Sequence, residues 1–180
     1  MLKLKARQLR DAKPEEEHKS QIKKNPIYIV LDDVLDTYNI GAVFRLADAV
    51  AATKVILCAG SETPPNTRIK RASINTTEWV DWEYFETAGA AIKDLRSKIK
   101  DLQVISVELD KRAVPYTEVD YNFPVAIVVG HETDGVSEEV LKMSDAIVEL
   151  PMYGVNISLN VMVSLGIVLY EVVKHLPKSK

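Results

Sequence analysis

Short apolar runs recur along the chain at residues 27–31, 55–59, 79–85, 104–109, 125–129 and 146–150, and helix-like spacing fills most of the intervals between them. Each run has the length of a strand, and runs that are apolar almost without interruption suit strands buried on both faces. Strand alternating with helix constrains the fold strongly. It predicts an α/β class domain, with a single mostly parallel sheet flanked by helices. At 180 residues and 47% hydrophobic, the chain can bury a full core without staples. No internal repeat, low-complexity tract or interior linker divides it, so the expected organisation is an N-terminal arm over 1–25 and one domain over 26–180.

Charge and special residues narrow the function. A net charge of -3 and a pI of 5.7 argue against nucleic-acid binding by bulk electrostatics. The charge is unevenly spread, because residues 1–24 carry eight Lys and Arg against four acids. Such a basic arm reads either as an edge that touches a polyanion or as a solvated amphipathic segment. Cys58, the single cysteine, lies in an apolar run and reads as a small buried hydrophobe; no disulfide can form within the chain. His18, His131 and His175 lack metal-ligand spacing, so no metal site is expected. The first residues lack the apolar core of a signal peptide and no later run has the length of a membrane span, which predicts a cytoplasmic protein with no membrane association.

Three segments carry chemistry. In 36–48, Asn39 reads as a helix N-cap, after which Ile40, Val43, Phe44 and Ala47 form one buried stripe. Gly41, Arg45 and Asp48 share another face. The glycine could expose backbone where a phosphate chain lies, or the arginine could be an ordinary surface residue.

In 125–141, a strand breaks into a turn bracketed by Gly130 and Gly135, then a helix capped by Ser137. A nucleoside-triphosphate loop is a poor fit, because Val136, ahead of Ser137, stands where a Lys ahead of Ser/Thr is needed, and Glu132 and Asp134 repel phosphate. The same two acids could suggest a glycosidase pair, although a plain turn accounts for them better. In 146–160, Pro151 and Gly154 force an irregular loop with free backbone groups ahead of a C-terminal helix expected over 158–176. Ser158 and Asn160 also suit the start of that helix.

The helix carries one apolar stripe at Leu159, Met162, Val163, Gly166, Leu169, Tyr170 and Val173, and a second at Val161, Leu165, Val168 and Val172. One stripe suffices for packing on the sheet, so the other predicts a homodimer unless a second helix of the same chain covers it.

Taken in order, these segments resemble the three motifs of the SpoU/TrmH branch of the SPOUT RNA methyltransferases. Asn39 to Arg45 is similar to the first, Gly130 to Gly135 to the second, and Leu150, Pro151 and Met152 followed by Ser158, Leu159 and Asn160 to the third. Residues 64–73, with Arg68, Lys70, Arg71 and Ser73, look like the family's loop after the second strand. The resemblance implies a C-terminal trefoil knot, S-adenosylmethionine as cofactor and methyl transfer to a ribose 2′-hydroxyl of RNA. It implies catalytic roles for Arg45, Asn39 and Glu132. Cofactor contacts would come from Val107, Gly130, Leu150, Met152, Ser158, Leu159 and Asn160, with Gly130 letting the adenosine approach the main chain closely and Asn160 also tying the third loop to the first motif. RNA would meet Arg45, Lys3, Lys5, Arg7, Arg10, Arg68, Lys70 and Arg71. The short arm leaves little room for a separate substrate domain, which favours transfer RNA over ribosomal RNA. The run after Asp48 departs from many relatives, which have an aromatic and a glycine there. A catalytically silent RNA-binding module and a hydrolase using Glu132 or Asp134 are the rival classes.

Overall fold

The computed structural model describes residues 3–177. Its strands are β1 (Asn25–Asp32), β2 (Ala52–Cys58), β3 (Trp82–Phe85), β4 (Gln103–Val107), β5 (Val114–Pro115), β6 (Val125–Gly130) and β7 (Ala146–Glu149). They form one sheet in the order β3-β2-β1-β6-β4-β7-β5, and every pairing is parallel. Helices α1 (Ala6–Asp11) and α2 (Glu16–Ser20) lie in the arm ahead of β1; parallel strands need crossovers, and α3 (Thr37–Ala49), α4 (Thr67–Ser73), α5 (Ala88–Lys98) and α6 (Glu138–Met143) supply four of them, while α7 (Val161–Val172) follows β7.

Strand alternation divides the core in two. Ile27, Ile29 and Leu31 of β1, with Ile127 and Val129 of β6, join a cluster with Ile40, Val43 and Phe44 of α3 and Leu165, Val168, Leu169 and Val172 of α7. Val30, Ile56, Ala126 and Val128 face the other way, onto Ala91, Ile92 and Leu95 of α5 and Val140 of α6. The sheet is therefore covered on both faces, which explains why all six residues of β6 are buried. Cys58 sits in the second cluster; desolvation, and then the charge of Asp32, push its thiol up to about 12, so it is an inert packing residue.

Several expected boundaries move. The run at 79–85 becomes strand only from Trp82, because Thr76–Glu78 forms a 3₁₀ turn that Trp79 closes. Val114–Pro115, too short to show periodicity, adds an edge strand. Asn39 is not the cap of α3: Asp36 is, accepting from the Tyr38 N–H at 2.7 Å, and Asn39 lies inside the helix. Ser137 precedes α6 without a side-chain capping bond. Asn160 does cap α7, accepting from the Met162 N–H at 3.0 Å, so the helix starts later than expected.

The stripes on α7 also change partners. Leu165, Val168, Leu169 and Val172 are fully buried within the chain, whereas Val163, Ile167 and Tyr170 are left exposed.

Candidate active site

The C-terminal ends of parallel strands are where open α/β sheets hold ligands. Here the ends of β4, β6 and β7 and the loop before α7 surround a cavity of about 510 Å³. The residues that sequence reasoning gave to a cofactor, Val107, Gly130, Leu150, Met152, Ser158, Leu159 and Asn160, all line it, and so does Glu132. Residues spread over more than fifty positions converge because three strand ends lie side by side.

The glycines here serve the loop itself. A Cβ on Gly130 would fall 2.1 Å from the Gly135 carbonyl carbon, so the turn fills the space that had been expected to admit a ligand. The turn is closed by paired main-chain bonds between His131 and Gly135, each 3.0 Å. Gly135 has φ +72°, and a Cβ there would strike the Glu108 carboxylate. Glu108 went unnoticed in the sequence. It lines the cavity and accepts from the Val136 N–H at 2.7 Å and the Leu109 N–H at 2.8 Å, fixing the second motif against β4. Its place immediately after Val107 at a strand end was the available signal.

Glu132, Asn39 and Asn160 form a relay. One Glu132 oxygen accepts from the Asp36 N–H and from Asn39 Nδ2, both at 3.0 Å; the other accepts from the Leu35 N–H at 3.2 Å. Asn39 then accepts at Oδ1 from Asn160 Nδ2, 3.1 Å away. Desolvation pushes the Glu132 carboxyl up, but donation from Asn39 and the two N–H groups outweighs it and the net shift is downward. A carboxylate so fully engaged is an anchor for the first loop and a poor proton acceptor. His131 accepts at Nδ1 from the Thr133 and Asp134 N–H groups, both at 3.1 Å, which further fixes the turn.

Arg45 is exposed on α3 and does not line the cavity of its own chain. Gly41, one turn earlier, does not bare backbone to solvent: a Cβ would meet Ala72 at 2.5 Å and the Ile69 carbonyl at 2.8 Å. It is a contact point for α4, whose Arg68, Lys70 and Arg71 are exposed. The arm docks beside them, since the buried Asn75 donates through Nδ2 to the carbonyls of Leu9 at 3.1 Å and Ala12 at 2.9 Å. Asp48, on the face of Arg45, feels desolvation that raises its carboxyl and the charges of Lys24 and Lys3 that oppose it. The arm, α3 and α4 thus share one side of the molecule.

A model of the SpoU rRNA methylase family matches residues 26–170. The chain belongs to this family. It is 32% identical over 152 residues to a tRNA (guanosine(18)-2′-O)-methyltransferase of Aquifex aeolicus, covering 83% of this chain and 69% of the relative. It is 30% identical to the enzyme of the same description from Escherichia coli, covering 79% of this chain and 61% of that one. Among solved structures, an AdoMet-bound rRNA methyltransferase from Sinorhizobium meliloti superimposes with a TM-score of 0.78 at 27% identity, over 94% of this chain and 61% of the other. Asn39, Glu132 and Asn160, one from each of the three segments singled out in the sequence, meet in the relay beside the cavity.

Proposed function

We propose that this protein transfers a methyl group from S-adenosylmethionine to a ribose 2′-hydroxyl of RNA, with transfer RNA the favoured substrate and ribosomal RNA the alternative. The observation that carries this reading is the cavity at the ends of β4, β6 and β7, joined through the Glu132–Asn39–Asn160 relay to the helix that bears Arg45. Membership of the family and the names of the relatives support the reaction and both RNA classes.

The cavity suits the cofactor. Its volume falls in the range of small-molecule sites, its walls mix apolar Val107, Leu150, Met152 and Leu159 with main-chain polar groups, and Glu108, Glu132 and Glu149 give a negative surround for a cationic ligand. When bound there, the cofactor supplies an electrophilic methyl group. The chain's own residues do the rest. The strand-end loops orient the ligand, and the relay holds α3 against them, so that most of the rate enhancement comes from alignment. A guanidinium is an implausible simple base, so Arg45 instead grips a phosphate beside the target ribose and steers the hydroxyl proton toward it. Asn39 and Glu132 position α3, and we assign them no proton transfer.

Three further parts belong to this reading. The exposed apolar face of α7, with Val163, Ile167 and Tyr170 each between 37% and 55% exposed, supports a homodimer through that helix. The placement of β7 between β4 and β5 supports a trefoil knot in the C-terminal half of the domain 26–180. The arm 1–25 contacts RNA through Lys3, Lys5, Arg7 and Arg10, beside Arg68, Lys70 and Arg71, in the cytoplasm.

Titration calorimetry with S-adenosylmethionine separates this enzyme from a silent RNA-binding module. Micromolar binding that Met152→Glu abolishes supports the reading; no heat of binding for the wild type refutes it.

A further inference from the structure

A second, more open cavity of about 560 Å³ lies between the loop that follows β2 and the edge strand β3. Trp82 and Tyr84, two residues apart, present their side chains on the same face of β3 and both line it. Tyr84 is 45% exposed, yet its hydroxyl donates to the Ala59 carbonyl at 2.8 Å, so the ring is pinned while staying accessible. Ser61 lines the same cavity at 4% exposure, and its buried Oγ has no hydrogen-bond partner. A polar atom left unpaired when buried is costly unless a ligand meets it.

The loop around this cavity is rigidly held. Glu62 accepts from Asn66 Nδ2, and Asn66 Oδ1 caps the start of α4 by accepting from the Arg68 and Ile69 N–H groups. Asp33 and Ala59 follow the paired residues Asp32 and Cys58, and both adopt left-handed backbone at φ 62° and 54°. Non-glycine residues held in that region mark a conformation that its surroundings impose. Asp33 Oδ1 then accepts from the Gly60 N–H at 2.8 Å. Two residues on, Leu35 and Asp36 donate to Glu132 on the first cavity's wall. One short loop therefore separates the two cavities.

We propose that this second cavity binds an unpaired nucleobase of the RNA substrate, one carrying an exocyclic amino group. The proposal rests on the RNA reading above and adds a subsite to it. The base stacks on Tyr84 and Trp82, as sequence-tolerant single-strand sites do. The Glu62 carboxylate repels phosphate and accepts from an amino group, so the strand must enter base first. Arg68, exposed at the start of α4, meets the phosphate of the same nucleotide.

The test is tryptophan fluorescence during titration with short single-stranded oligocytidylate, whose bases carry an amino group, and oligouridylate, whose bases do not. Trp79 is buried, so Trp82, half-buried against the core and lining the cavity, is the reporter. Oligocytidylate should quench the emission and bind more tightly than oligouridylate, and Trp82→Phe should remove the quench. Tyr84→Leu, which keeps apolar volume at an exposed site, should weaken oligocytidylate roughly five- to hundredfold, the loss of one stacking partner. Glu62→Gln should erase the preference between the two. Emission that neither RNA changes, wild-type affinity in Tyr84→Leu, or a preference that survives Glu62→Gln overturns the proposal. Methyl transfer to total RNA is followed in parallel. Its absence with quenching intact refutes the enzymatic reading and leaves the subsite standing, whereas normal transfer and unaltered KM in Tyr84→Leu refute the subsite alone.

Discussion

Asn39 and Asn160 are 121 residues apart in the chain, and their side-chain amides meet at 3.1 Å. The bond ties the helix that bears Arg45 to the cap of α7, and Glu132 fixes its polarity, because a carboxylate can only accept from Asn39 Nδ2. The two asparagines should act as a unit. Asn39→Ala and Asn160→Ala should each lower kcat with less effect on cofactor affinity, and the double variant should lose no more than the worse single one, a coupling of about 0.5–3 kcal/mol. Fully additive losses in a double-mutant cycle would show that the contact is incidental.

For Glu132 the prediction concerns acid. Its carboxyl is held below the ordinary carboxylate range, so the stability it contributes is complete above its unfolded value and is lost as pH falls through the lowered folded value. Glu132→Gln should therefore flatten the acid limb of a thermal-stability profile and converge with the wild type in strong acid. In the range of roughly pH 6 to 9, the kcat profile should show no ionisation that Glu132→Gln removes, as it would if this group were the general base. Glu132→Gln should also retain more activity than Glu132→Ala, since an amide oxygen can still accept from Asn39.

On α7, buried and exposed faces separate folding from association. A charge at Val168 or Val172 enters the core of the single chain, where each apolar side chain contributes about 1.5–3 kcal/mol, and should unfold it. A charge at Val163 or Ile167 should leave a folded chain that sediments near 20.1 kDa and has lost activity. A Val163→Glu variant that keeps the mass of a dimer would remove this face from the interface.

Much of this was legible beforehand, and the boundary of legibility is physical. Buried parallel strands such as Val125–Gly130 announce themselves by composition, and the second and third motifs were readable because each follows the end of a strand, whereas the first lies inside α3. Local spacing could not show which stripe of α7 the sheet would take, since both are apolar. It also misjudged Gly41 and Gly130, where glycine answers a close approach from residues 31 and 5 positions away that only the tertiary fold creates. Glu108 and the cavity around Tyr84 were missed for the same reason. Their significance lies in neighbours contributed by other strands.

The arm makes a separate claim. Docked through Asn75, it should present Lys3, Lys5, Arg7 and Arg10 to phosphate. Neutralising them should weaken RNA binding and flatten its dependence on the logarithm of salt concentration by roughly 0.7–0.9 per lost contact. Asn75→Ala, which frees the arm without removing charge, should weaken binding while leaving the cations in place. An unchanged salt slope in the neutralised variant would return the arm to a solvated segment.

The most direct test of the whole account is transfer of a labelled methyl group from S-adenosylmethionine to total RNA from a strain lacking this protein, followed by mapping of the modified nucleotide. The account predicts label on a ribose 2′-hydroxyl with the wild type and none with Arg45→Ala, whose cofactor affinity stays near wild type. Arg45→Lys should also be severely impaired, because one ammonium cannot reproduce the planar two-pronged grip of a guanidinium. Label on a base, or near wild-type turnover by Arg45→Lys, would contradict it.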